Sequence, residues 1–429
     1  MAIGPTTVFD KSALESLSLD EAMWFDTFYR SNITPLFLVE TLADLEKEVA
    51  KGRTPEQVVG NLAEKTPVRG SLTNVHHQTL CAQELLGNPI EMRGRPIIAS
   101  GRPASSGSKR GLVFDRPPEM EALARWQKGD FLAAERMFAR EWRANLTSLD
   151  LQSALKRFRA IGLTHPRVRD LAEAKAVANY LLHRDGYRFA SLKLALDLLG
   201  APPAAQEATL ARWKALGGPR LPEFAPYVTH VVTVDLLFYL YLGLGIDQIS
   251  AARPGNKIDM AYLYYLPFTS LFVSKDRLHQ RTVPLFLQGD QEFIWAEDLK
   301  VDLSRLDAHF MELPETVREQ GVVTFAANPP DDTSFLTTRL WDKYLPRWRE
   351  RGYEPRKPSK ADSQRIAALS KAMTESSATP GMQIESDEAD VIVFERMIPI
   401  RMGKWRLVSP DVEAAAREKR GSRNPRSET

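Results

Sequence analysis

The stretch 271-LFVSKDRLH-279 decides how the rest of the chain is read. Leu271, Phe272, Val273 and Ser274 make an apolar, β-prone run short enough for a buried strand. Polar residues follow at once: Asp276 stands between Lys275 and Arg277, with His279 just beyond. A carboxylate at the C-terminal edge of a strand is either a turn former or part of a binding site. The choice depends on whether other acids reach the same edge, because ligands of open α/β sheets gather at the carboxyl ends of the strands.

A second short strand is expected at Thr6–Phe9, stopping at Asp10. Ser18 and Glu21 form an S-x-x-E capping box that opens a helix through Met23, Trp24 and Phe28. Thr34 before Pro35 supplies the cap and first turn of another helix. There Leu38, Leu42, Leu45 and Val49 recur at helical spacing, while Glu40, roughly 200° round from Leu38 at ~100° per residue, points off that stripe. Late in the chain, a Pro-Gly break and Asn256 precede a helix carrying Asp259. Further strands are expected at 283–287, Glu292–Trp295 and Val322–Phe325. Helix and strand in alternation predict an α/β sheet covered on both faces.

Between these parts, residues 76–225 read as an all-α insertion rich in Ala, Leu and Arg. The expected division is therefore 1–75 and 226–330 for the α/β domain, 76–225 for the insertion, and 331–429 for a C-terminal extension. That extension holds a short β segment at 391–408 and a charged tail.

With 43% hydrophobic and 26% charged residues, the 429-residue chain has an ordinary globular composition. Its 57 basic and 55 acidic residues nearly cancel, so the net charge of +2 neither requires nor excludes a polyanionic partner. Locally, Arg93, Arg95, Arg102, Lys109, Arg110 and Arg116 face only Asp115, which suits a solvated basic loop or one that contacts phosphates. Cys81 is the sole cysteine, which excludes an internal disulfide and a zinc–thiolate cluster and fits a reducing cytoplasm. No signal peptide is expected, and the most apolar run, 236–246, falls short of the ~20 residues that span a bilayer. A soluble, cytoplasmic protein is expected, with no membrane partner.

The phosphate-loop, nucleophile-elbow and H-E-x-x-H patterns are absent. Acids remain: Asp10, Glu40, Asp259 and Asp276. Carboxylates drawn together raise one another's pKa and normally hold a divalent cation, and hard oxygen ligands select Mg²⁺ or Mn²⁺. Singly, each acid also has a structural explanation as a cap, a turn former or an exposed helix carboxylate.

Taken in order, three stretches resemble the PIN-domain nucleases: VFDKSALESL around Asp10, NITPLFLVETLADL around Glu40, and NKIDMAYLYYLPFTSLFVSKDRLH around Asp259 and Asp276. The resemblance covers about 5–75 and 226–300. It departs from compact members in the long insertion and in a C-terminal third without counterpart. It implies a PIN-like three-layer α/β/α sandwich with a mostly parallel sheet, and metal-dependent phosphodiester hydrolysis, usually of RNA. In those terms Asp10 and Asp276 are direct Mg²⁺ or Mn²⁺ ligands, with Glu40 and Asp259 completing the shell. Ser12 and Ser274 orient carboxylates or touch the phosphate, and Lys275 and Arg277 neutralise backbone charge; apart from the resemblance, the clustered Arg102, Lys109 and Arg110 are the residues a phosphate-contacting loop would use. The alternative is a non-catalytic PIN-like scaffold that binds nucleic acid or a protein partner, such as a regulator, through the insertion. If like charge dominates the site, Asp10→Asn is expected to leave the fold intact or slightly more stable.

Overall fold

A computed structural model describes residues 4–99, 101–137, 168–243, 255–350, 360–376, 389–394 and 398–414. Strands β1 (Thr6–Phe9), β2 (Arg30–Ile33) and β3 (Leu72–Thr73) come first. A hairpin of β4 (Arg102–Ser106) and β5 (Lys109–Phe114) lies apart, and β6 (Leu271–Ser274) and β7 (Glu292–Trp295) return to the first sheet. That sheet runs β3-β2-β1-β6-β7, with every neighbouring pair parallel. Thr7 lies beside Leu271 and Val8 beside Phe272, so the strands ending at Asp10 and Ser274 are neighbours, as expected. Strand order reverses between β1 and β6, which makes this the topological switch point of the sheet.

Both β1 and β6 are buried along their whole length, as parallel strands covered on two faces must be. Successive side chains point to opposite faces. Val8 and Phe272 pack with Leu182, Leu192, Leu237 and Tyr262 on one face, while Phe9 and Val273 pack with Phe25, Phe37, Leu299 and Leu303 on the other. The result is a helix–sheet–helix sandwich. Helices from the 168–243 stretch therefore share a hydrophobic cluster with the sheet itself. The C-terminal region does the same on the opposite face through Leu340, Trp341 and Trp405.

Several local expectations hold. The Ser18–Glu21 capping box is complete, and a helix begins at Pro35 after Thr34, although the Thr34 side chain makes no capping hydrogen bond. Others need correction. The stretch 76–225 is not all-helical, because it contains the β4–β5 hairpin. Strand β8 (Val391–Phe394), from the C-terminal extension, pairs parallel with β5, and helix Lys360–Glu375 covers this small sheet through Leu369 and Met373. Gly111 permits the close approach, since a Cβ there would collide with Met373 and the Val391 carbonyl. Residues 283–287 form no strand: Val283–Leu285 is a 3₁₀ turn containing Pro284, which cannot donate to a ladder. Val322–Phe325 is a short helix. It follows Gly321, whose φ of +88° and contact with the backbone of Leu407 and Val408 exclude a side chain. The strand pair expected near Met402 is present as β9 (Arg401–Met402) and β10 (Trp405–Arg406). Among the described residues no helix is long and apolar enough to cross a membrane.

Candidate functional site

Asp10 leaves β1 as the N-cap of helix Lys11–Ser16, and its carboxylate is 3% exposed. Oδ1 accepts from the Ala13 backbone N–H at 2.8 Å, and the Ser12 hydroxyl lies 2.9 Å from both oxygens. Oδ2 accepts from Ser274 Oγ at 2.6 Å and faces His279 Nδ1 at 3.2 Å. His279 is fully buried, on helix Arg277–Thr282. Its Nε2 donates to the Asp259 backbone carbonyl at 2.7 Å. A carbonyl only accepts, so Nε2 carries a proton, and the Asp10 carboxylate draws a second onto Nδ1. Burial opposes a charged imidazole, but its hydrogen bond to Asp10 and that group's charge push the His279 pKa up to about 9. Burial likewise works to raise Asp10. His279, together with donors Ser274 and Ala13, overcomes it and holds the carboxyl below its ordinary value. Asp10 and His279 form a buried ion pair.

The other acids fare differently. Glu40, on helix Pro35–Ala43, accepts from the Tyr262 hydroxyl at 2.7 Å and the Lys11 backbone N–H at 3.3 Å. Burial, then the charges of Asp259 and Asp10, push its carboxyl well above the usual range, against the pull of Lys11 and Tyr262. Lys11 itself is buried and spans to Asp44 at 2.7 Å. Burial opposes its charge, yet Glu40, Asp44 and Glu15 hold its ammonium above the ordinary lysine value.

Asp259 sits on helix Gly255–Ala261, which includes Asn256 rather than starting after it. No described residue donates a hydrogen bond to the Asp259 carboxylate. Burial raises its pKa to about 7; Asp276 and Asp10 add to the rise, and the charge of His279 opposes it. Asp276 caps helix Arg277–Thr282, accepting from Leu278 N–H at 2.6 Å, while its own N–H donates to Ser274 Oγ at 2.9 Å.

The structure thus brings Asp259 within electrostatic reach of Asp10, Glu40 and Asp276, and Glu40 within reach of Asp10, at the switch point. The Ser12 and Ser274 hydroxyls both hydrogen-bond Asp10, and the Lys275 N–H donates to Ser12 Oγ at 3.2 Å. The donor set is all hard oxygen with a surplus of negative charge, which suits Mg²⁺ or Mn²⁺ by type. As the side chains stand, no three His, Cys, Asp or Glu groups among the described residues are drawn together tightly enough to hold a metal ion. The reading from residues gave no role to three close participants: His279, Tyr262 and Lys11. His279 was within view, since a helix starting at Asp276 turns its third residue back toward β6. Tyr262 lay inside the apolar run YLYYLPF, where only its need for a hydroxyl partner distinguishes it from its neighbours.

On the lip, Lys275 pairs with Glu297 at 3.0 Å, whereas Arg277 is exposed and has no ion-pair partner among the described residues. Of the basic residues expected in a loop, Arg102, Lys109 and Arg110 lie in the β4–β5 hairpin, and Arg93, Arg95 and Arg116 lie outside it. Arg102 donates to the Ser376 and Thr374 carbonyls at 3.2 and 3.3 Å, tying down the end of helix Lys360–Glu375. The Arg110 N–H donates to Asp390 at 2.9 Å, and Lys109 lies 3.9 Å from the same carboxylate. No family model, curated protein or solved structure matches the chain.

Proposed function

We propose that the chain is a PIN-like, divalent-metal-dependent nuclease that hydrolyses phosphodiester bonds, with RNA as its substrate. One observation carries this reading. At the switch point of a parallel sheet, Glu40 and Asp259 lie within electrostatic reach of each other and of Asp10, and Asp259 also of Asp276; burial raises their pKa values most, and this like charge raises them further. A site that pays such a cost without a structural return is commonly a functional one.

Glu40, Asp259 and Asp276 would hold Mg²⁺ or Mn²⁺, which when bound polarises a phosphate and lowers the pKa of water. Asp10, its oxygens already occupied by protein donors, fixes His279 and Ser274 beside the ligands. His279 in turn holds the Asp259 backbone through its carbonyl. Tyr262 orients Glu40. Arg277 can neutralise a backbone phosphate at the lip.

The test is cleavage of a panel of single-stranded RNAs and DNAs with Mn²⁺ or Mg²⁺ and with chelator, comparing the wild type with Asp259→Asn. Metal-dependent cleavage of RNA, lost in the variant, is the expected result. Cleavage that survives Asp259→Asn, or none on any substrate, would leave the scaffold reading in its place.

A further inference from the structure

Outside the carboxylate site, one corner of the helical stretch 168–243 differs from the rest of the surface. Tyr180, Tyr187 and Phe189 are 64%, 55% and 50% exposed, and no other Phe, Tyr or Trp among the described residues is exposed. They belong to the end of helix Leu171–His183, the 3₁₀ turn Asp185–Tyr187 and the start of helix Arg188–Leu198. Leu182 and Leu192 of the same two helices are buried in the cluster that covers the sheet, so the corner is anchored to the core while its rings stay in solvent. Apolar residues exposed singly are ordinary, whereas rings gathered in one place mark an interaction surface.

The corner is also basic. The Arg184 guanidinium lies 3.7 Å from the centre of the Tyr187 ring and 5.8 Å from that of Tyr180, a cation–π arrangement with both. Arg188 donates to the Gly218 carbonyl at 3.4 Å, which brings the 213–220 segment alongside, and Phe189 lies 6.0 Å from Trp213. Residues 180–190 and 213–223 hold Arg184, Arg188, Lys214 and Arg220 against Asp185 and Glu223. Both acids are already engaged: Asp185 by Arg188 at 3.0 Å and Arg220 at 3.8 Å, and Glu223 by Arg220 at 2.9 Å. Arg184 and Lys214 have no ion-pair partner among the described residues. The charge left over is positive.

We propose that this corner docks single-stranded nucleic acid, with bases stacking on Tyr180, Tyr187 and Phe189 and phosphates meeting Arg184 and Lys214. A single strand offers flat base faces and a charged backbone, and rings beside uncompensated cations answer both. A duplex keeps its bases stacked on one another and leaves the rings unused. An acidic protein segment answers the charge, but it lacks the run of flat faces that three neighbouring rings can take. The strand can be RNA or DNA, since both present the same stacking surface and phosphates. This proposal stands apart from the nuclease reading, because it concerns holding a strand and not cutting it.

Binding to the full chain is therefore measured in EDTA, where cleavage plays no part. Fluorescence anisotropy follows short oligo(U), oligo(dU) of the same length, and an abasic deoxyribose–phosphate strand that keeps the charges and lacks the bases. Replacing all three rings (Tyr180→Ser, Tyr187→Ser, Phe189→Ser) should weaken binding of the strands with bases at least about tenfold and leave the abasic strand unchanged. Should that protein not fold, Tyr180→Ser alone, at the most exposed ring, should cost about fivefold. Arg184→Gln with Lys214→Gln should weaken all three strands and flatten the log–log salt dependence by about 1.4, at ~0.7 per charge on a single strand. The tighter of oligo(U) and oligo(dU) names the strand as RNA or DNA. No binding of either, equal affinity for the abasic strand, or full affinity in a folded ring variant overturns the proposal. So does self-association in sedimentation that the ring variant loses without any loss of strand binding, which would give the face to a second copy of the chain. Ring-dependent binding by a chain that cleaves nothing would sink the nuclease reading alone.

Discussion

Asp10 and Asp259 share one sheet edge, yet their surroundings drive them in opposite directions. Asp10 gathers Ala13 N–H, two serine hydroxyls and the buried His279, and its carboxyl is held below the ordinary value. Asp259 receives no hydrogen bond from any described residue, and burial, followed by the like charges of Asp276, Asp10 and Asp44, pushes it up to about 7. Burial works to raise both, and Asp10 is the more deeply enclosed of the two. What differs is the supply of donors, so burial alone does not identify a ligand-binding carboxylate; the unpaid negative charge does. By this measure Asp10 belongs to the scaffold of the site, and Asp259, with Glu40, to its unfinished half.

The largest effect that would break this contrast is loss of activity. Asp259→Asn should reduce Mn²⁺-dependent RNA cleavage by more than ~100-fold. It should also reveal the cost of the charge. The folded-state pKa of Asp259 is raised from 3.8 to about 7, so the folded protein binds more protons than the unfolded chain between those values. Stability then falls as pH rises through that window and stays lowered above it. Asp259→Asn should therefore be more stable than wild type at pH 8 and nearly equal to it at pH 4. Mg²⁺ should raise the wild-type unfolding temperature more at pH 8 than at pH 5, and leave that of the variant unchanged. Thermal unfolding at the two pH values decides this, and a variant less stable than wild type at pH 8 would refute the reading.

Asp10→Asn should do the reverse. Counting acids alone predicts relief of repulsion, but the structure sets a fully buried His279 against Asp10, and removing one member of a buried pair strands the other. The expected loss is ~3–5 kcal/mol. The pH dependence follows from both partners. The His279 pKa is raised from 6.5 to about 9, so its contribution is complete below 6.5 and lost as pH rises through about 9. The Asp10 pKa is lowered from 3.8, so its contribution is present above 3.8 and lost as pH falls through its folded value. Denaturant unfolding of His279→Ala should lose the stability decline that wild type shows between pH 6.5 and 9. An Asp10→Asn protein as stable as wild type would return Asp10 to the unpaired class.

The sheet and its edge were legible because strand runs are local. LFVS and TTVF announce buried strands, and two strands that each end just before an acid imply a shared edge if they are parallel. The four acids could be found for that reason, and His279 with them, but not which partner each acid would meet. His279 reaches Asp10 across 269 residues and Tyr262 meets Glu40 across 222, separations that no spacing rule covers. The β4–β5 hairpin was hidden by its own charge. Arg102, Lys109 and Arg110 read as loop residues, whereas Leu112 and Val113 between them and Asp115 are buried against a strand and helix from the far end of the chain. A partner that distant leaves no local pattern.

A smaller effect sharpens the position of Glu40 between the two classes. It has one side-chain donor, Tyr262, where Asp10 has three and Asp259 none. That bond favours the charged carboxylate. Tyr262→Phe should cost ~1.5–3 kcal/mol at alkaline pH, where Glu40 is ionised. The cost should shrink as the pH falls and the group takes up its proton. Chemical denaturation of Tyr262→Phe across pH measures it, and a cost independent of pH would mean that the ring's packing, rather than its bond to Glu40, matters there.

The same contrast between paired and unpaired charge extends to the basic lip, with the smallest expected effect. Lys275 is engaged by Glu297 at 3.0 Å, whereas Arg277 projects without an ion-pair partner among the described residues. Both are exposed, so neither substitution should move stability by more than ~0.5 kcal/mol. They should differ in binding. Arg277, by neutralising a phosphate and releasing its condensed counterion, contributes about one unit to the salt slope, while Lys275 must first give up Glu297. Arg277→Ala should therefore flatten the log–log salt dependence of RNA binding by about one, measured in EDTA, and Lys275→Ala by clearly less. Arg102→Ala makes the control: its guanidinium is spent on the carbonyls of Thr374 and Ser376, so it should loosen helix Lys360–Glu375 without changing the slope. Equal slopes for wild type and Arg277→Ala would take the lip out of the nucleic-acid path. A change in Arg102→Ala alone would move that path to the hairpin.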